Sequence, residues 1–144
     1  ALKKQYGKDL KSMLYLHIPV PEYGELFTQD EDGKFIPNEN VEVIYGEMRE
    51  PIGCSPFNSG LFEAMKRNGT QAIFCGHDHC NDFCAEYDGV YLVYNQTGGY
   101  NCYRLYDSKV MDSDESTWHY GVNTTDIAKD GSFKMKNYKH TEFK

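Results

Sequence analysis

An α/β fold is predicted from two apolar runs and one turn. Met13-Leu14-Tyr15-Leu16 and Ala72-Ile73-Phe74-Cys75 are short and unbroken, as strands buried on both faces of a sheet are. A helical segment precedes each of them, and this repeated helix-then-strand step makes the two strands expected neighbours in one sheet. Further along, Asp88-Gly89 separates two alternating segments, the pattern of a tight β-hairpin.

Residues 2–11 carry Leu2, Leu10 and several lysines, which suits the end of an exposed helix. The first strand covers 13–16 and stops at His17, because Pro19 and Pro21 forbid regular structure beyond it. From Glu22 to Ser59 the glycines, prolines and the acidic patch Asp30-Glu31-Asp32 read as a long loop, the kind that shapes specificity on a rigid scaffold. Within it only 41–45 alternates enough for a short strand or a helical turn. Asn58 or Ser59 is the expected N-cap of a helix over 60–67 that buries Leu61, Phe62 and Met65 and stops at Gly69. The second buried strand follows at 71–75, then the hairpin of 82–88 and 90–95, then a strand over 100–107 after Gly98-Gly99. A polar tail occupies 108–144, with an Asp130-Gly131 turn before the alternating Phe133 and Met135. One domain, 1–144, accounts for this length.

Fifteen basic and 22 acidic residues leave a net charge of -7, which gives no electrostatic reason to bind nucleic acid or an anionic membrane. No apolar run approaches the ~18 residues that would cross a bilayer. Neither nucleic acid nor membrane is therefore expected as a partner. Asn68, Asn95 and Asn123 each open an Asn-x-Thr sequon, which reads in favour of a secreted protein. Five cysteines, an odd number, leave at least one thiol without a partner in the chain.

Chemistry gathers at the strand ends, where α/β sheets bind ligands. His17 ends the first buried strand, and Gly76-His77-Asp78-His79 ends the second, Gly76 letting the backbone turn without a Cβ clash. Three imidazoles could converge there as ligands for zinc, iron or a similar ion, or each could be a polar cap on a strand end. Asp78 would point away or accept a hydrogen bond behind the site. Asn81 and Asp82 are candidate partners for the other imidazole N–H groups, or the makings of an Asx turn. Tyr23 and Glu22 lie where substrate could pass, unless they only pack the loop. His119 and His140 are expected bystanders.

The block Gly76-His77-Asp78-His79 after an apolar strand, with His17 on an earlier one, resembles the last two blocks of the calcineurin-like metallophosphoesterases. The wider strings 15–23, 58–69 and 75–100 resemble the purple-acid-phosphatase-related branch, which carries His-Ile-Pro-x-Pro-Glu-Tyr and Gly-His-Asp-His-x-Asn-Asp-Phe-Cys blocks. The resemblance implies a four-layer α+β fold, a β-sandwich flanked by helices, with two metal ions (iron, zinc or manganese) about 3.5–4 Å apart and a phosphate ester as substrate. It implies that His17 and His77 hold one metal and His79 the other. It also implies that this chain is the C-terminal half of that domain. The Asp-x-His, Gly-Asp and Gly-Asn-His blocks are absent, so the bridging aspartate and the catalytic residues belong to an N-terminal half that would be this chain's partner. Alone, the chain is expected to be inactive. The rival readings are a structural zinc on Cys75, Cys80 and Cys84, a Cys80–Cys84 disulfide, and a degenerate homologue kept as a binding module.

Overall fold

The structure is a computed structural model of the 144-residue chain and describes residues 2–7, 9–99, 103 and 121–143. Its order is α1 (Leu2–Tyr6), β1 (Ser12–Tyr15), a 3-10 turn (Pro21–Leu26), β2 (Phe27–Gln29), β3 (Phe35–Pro37), β4 (Glu42–Glu47), α2 (Leu61–Arg67), β5 (Thr70–Cys75), β6 (Asp82–Tyr87), β7 (Val90–Tyr94), β8 (Gly121–Ile127), β9 (Phe133–Lys139) and a terminal 3-10 turn (His140–Phe143). Five strands form one mixed sheet in the order β1-β5-β7-β6-β4, and β2-β3 and β8-β9 form separate two-stranded ribbons. The chain is thus α/β.

The two apolar runs are parallel neighbours, with Leu14 opposite Ile73 and Tyr15 opposite Phe74. Alternation along β5 sends Ile73 and Cys75 to one face and Ala72 and Phe74 to the other, and both faces are covered, so the run had to be apolar throughout. The first face packs under Phe62 of α2 and under Tyr23, Leu26 and Phe27 of the 3-10 turn and β2. Against the second lie Phe133 and Met135 of β9. Burial pushes the Cys84 thiol up to about 12 and raises Cys75 further, so both behave as small apolar residues.

Asp88 and Gly89 both take positive φ, 50° and 78°, which is what a two-residue hairpin turn between twisted strands requires. At the far edge β4 pairs antiparallel with β6 and slips register between Val43 and Tyr45. Beyond that bulge Gly46 sits at φ +76°, and a Cβ there would fall 1.7 Å from the Asp82 carbonyl oxygen. Only glycine lets the two backbones come this close.

Several expectations are corrected. The 22–59 stretch is not all loop: it contributes a 3-10 turn, a ribbon and β4, a full strand of the sheet. Helix α2 is capped by Gly60 in the left-handed region with no side-chain bond, while Asn58 accepts from the Gly60 N–H and donates to Glu22. Leu61 is 38% exposed, so Phe62 alone anchors that helix fully. Within the polar tail the expected Asp130-Gly131 turn is present, and it joins β8 to β9, the strand that carries the alternating Phe133 and Met135. The expected strand over 100–107 and His119 lie outside the described residues, apart from Tyr103.

Candidate metal and phosphate site

β1 and β5 end side by side, and their carboxyl ends carry the histidines. Backbone bonds knit the ends together: the Leu16 N–H donates to Phe74 and the Gly76 N–H to His17. This brings His77 Nδ1 to 3.3 Å from His17 Nε2, with the rings edge to face. Both imidazoles are exposed and line a cleft of about 200 Å³ with Asp78, His79, Asn95, Gln96 and Thr97. His77 adopts φ +92°, a left-handed conformation rare for a residue with a Cβ. Backbone strain of this kind persists only where the surroundings hold it in place.

The surroundings that hold it are visible. Asp78 turns inward and is buried. Its carboxylate accepts from the Tyr94 hydroxyl and from the Gly53 N–H at 2.8 Å, while its own N–H donates to the Tyr94 oxygen at 2.9 Å. Burial, then the bond to Asp78, raises the Tyr94 hydroxyl far above its ordinary range, so it stays a donor. Gly53 lies flat over the site: a Cβ there would come within 2.6 Å of Asp78 and 3.1 Å of the His77 ring. The absence of a side chain at Gly53 thus leaves room for the His77 ring, whose Nδ1 is the nitrogen turned to His17.

His79 does not join the other two rings. It stacks on Tyr103, 4.5 Å between centroids and 10° between planes, and its Nδ1 lies 2.6 Å from the Tyr103 carbonyl. A carbonyl can only accept, so Nδ1 is the donor in this contact and Nε2 lies outside it. Among the described residues no group of three or more His, Cys, Asp or Glu side chains converges as a metal ligand set. Two nitrogens stand together and a third faces Tyr103.

The remaining candidates are placed elsewhere. Tyr23 is fully buried, its hydroxyl donating to Ile73 at 2.6 Å between β5 and β7, so it is a core residue and not a substrate contact. Glu22 is buried beside it. Asn81 and Asp82 do not support the imidazoles: Asn81 accepts from the Arg49 and Glu50 N–H groups at 2.8 and 3.0 Å, and Asp82 pairs with Arg49 and accepts from Gln96. Together they strap the loop after β4 to the loop carrying His79. Cys75 and Cys84 lie on opposite faces of the sheet with free thiols, which removes both the three-cysteine zinc site and the Cys80–Cys84 disulfide. Gly53, Tyr94 and Tyr103 gave no sign in the sequence, since their partners lie 16 to 25 residues away.

The strand ends carry a histidine pair beside a Gly-His-x-His turn, and the sequence relatives are phosphatase-related proteins. The chain is 39% identical over 92 residues to probable inactive purple acid phosphatase 14 of Arabidopsis thaliana, a match covering 63% of this chain and 20% of that protein. It is 33% identical over 92 residues to probable inactive purple acid phosphatase 29 of the same plant, covering 63% and 21%. It is 29% identical over 121 residues to phosphatase DCR2 of Saccharomyces cerevisiae, covering 74% and 20%. The chain is a relative of the purple-acid-phosphatase-related phosphoesterases, as its histidine blocks imply. It spans about a fifth of the length of these curated relatives. No family model and no solved structure matches it.

Proposed function

We propose that this chain supplies the histidine side of the metal centre of a phosphoric ester hydrolase, whose other ligands come from the rest of the polypeptide. The observation that carries the reading is the 3.3 Å between His17 Nε2 and His77 Nδ1. Two nitrogens bound tetrahedrally at ~2.0–2.1 Å from one zinc-like ion stand about 3.3–3.4 Å apart, so the pair needs little adjustment to share an ion. His79, with Nε2 outside its contact to Tyr103, would serve the second ion. Metal ions bound there would lower the pKa of a water and neutralise charge on the phosphate oxygens. Asp78 is the residue that orients: through Tyr94 and Gly53 it holds the strained turn between His77 and His79.

A second reading has its own support, because several relatives are named as probable inactive phosphatases. In that reading the fold and the histidine pair persist as a binding module. Hydrolysis of p-nitrophenyl phosphate by the full-length protein separates the two, measured metal-replete and after chelation. Turnover that is lost on chelation and restored by zinc, iron or manganese is the expected result. Metal uptake without turnover would support the binding module instead.

A further inference from the structure

Three sequons occur in the chain, and the fold treats them differently. Asn68 ends α2 and is exposed. Its Nδ2 donates to the Ala64 carbonyl at 2.7 Å at the surface. Beside it opens a groove of about 440 Å³ lined by Leu2, Lys3, Leu10 and Ser12, with Leu2 61% exposed. A first sugar leaving Asn68 has space and an apolar floor. Its attachment replaces one hydrogen of Nδ2 and leaves the other for Ala64.

The other two sequons are locked into each other. Asn123 Nδ2 donates to Asn95 Oδ1 at 2.9 Å and to the Tyr45 hydroxyl at 3.2 Å, so both of its hydrogens are used where β8 meets the sheet. Asn95 Nδ2 donates to the Cys75 carbonyl at 2.9 Å, and its side chain lines the cleft of His17 and His77. A sugar on either nitrogen would break this junction or fill that cleft.

We propose that the folded, secreted protein carries an N-glycan at Asn68 and none at Asn95 or Asn123. The step moves an oligosaccharide from a lipid diphosphate donor: the Asn68 Nδ2–C1 bond forms, the C1–oxygen bond to the diphosphate breaks, and the proton lost from Nδ2 passes to a base of the transferase. Transfer precedes folding, so burial in the fold bars none of the three sequons from it; what differs is the outcome. A chain modified at Asn68 still folds with Thr70 buried against Ser12, whereas one modified at Asn95 or Asn123 cannot close the β8 junction and is not secreted. The test is to send the full-length protein through the secretory pathway of a eukaryotic host behind a cleavable leader. The product is then deglycosylated enzymatically in heavy-oxygen water, and the tagged asparagines are mapped by peptide mass. The tag is expected at Asn68 in most molecules and at neither Asn95 nor Asn123, and Asn68→Gln is expected to remove one glycan's mass. An untagged Asn68, or a tag on Asn95 or Asn123 in the secreted product, would overturn the proposal.

Discussion

Replacing His77 by glycine in the full-length protein is expected to cost the site its metal while leaving the fold at least as stable as before. The two effects separate because they have different causes. Metal affinity depends on the imidazole: even an outer partner of a metal ligand is worth ~10–100-fold, so removing the ligand costs on the order of 100-fold or more, with hydrolysis falling at least as far. Stability depends on the backbone, which His77 holds at φ +92°. Glycine occupies that region freely, and relief of such strain is worth about 1–3 kcal/mol, partly offset by glycine's greater freedom in the unfolded chain. Metal content and melting temperature on the same sample check both halves. A variant that keeps its metal, or that melts well below the parent, would mean that His77 is structural.

The second large effect lies at the strap between the two loops. Asp82 pairs with Arg49, their side chains only 5% and 14% exposed, and accepts from Gln96 at 2.9 Å. Removing one partner of a buried pair leaves the other charge uncompensated, which costs ~3–5 kcal/mol. Asp82→Ala is therefore expected to destabilise the protein by about 3 kcal/mol or more in thermal unfolding. It is also expected to loosen the turn carrying His79, because the Arg49 segment loses its ion pair to residue 82 and keeps only the bonds to Cys80 and Asn81. A change below ~1 kcal/mol would show that the strap contributes little.

Much of this molecule was legible in its sequence, and the limits are physical. β5 announced itself because burial on both faces demands an unbroken apolar run, and the β6–β7 hairpin because Asp88-Gly89 meets a specific dihedral need. β1 has the same apolar pattern, yet it is an edge strand, with Tyr15 62% exposed rather than buried. Strands β2 and β3 are three residues each, and Phe27-Thr28-Gln29 or Phe35-Ile36-Pro37 says nothing by itself; each exists because the other is there. β4 was ambiguous for a related reason: a bulge breaks its alternation, and Gly46 reads as a loop residue until the Asp82 carbonyl is seen against it.

At the site, the motif identified the histidines, but their environment depends on contacts between distant segments. Tyr23 follows the His17 block closely and so read as a substrate contact, yet the 3-10 turn carries it into the core. Asn81 and Asp82 follow His79 closely, and the turn aims them at Arg49 and Glu50. Asp78, for which the sequence left both turning away and accepting a hydrogen bond open, turns inward and accepts from Tyr94 and Gly53, partners that sequence distance hid.

The central claim is that His17 and His77 hold one metal ion between them. The most direct measurement is anomalous diffraction at the metal's absorption edge from metal-replete crystals of the full-length protein. A peak within bonding distance of both His17 Nε2 and His77 Nδ1 is the result this account predicts. Two rings hydrogen-bonded to each other, with no peak between them, would contradict it.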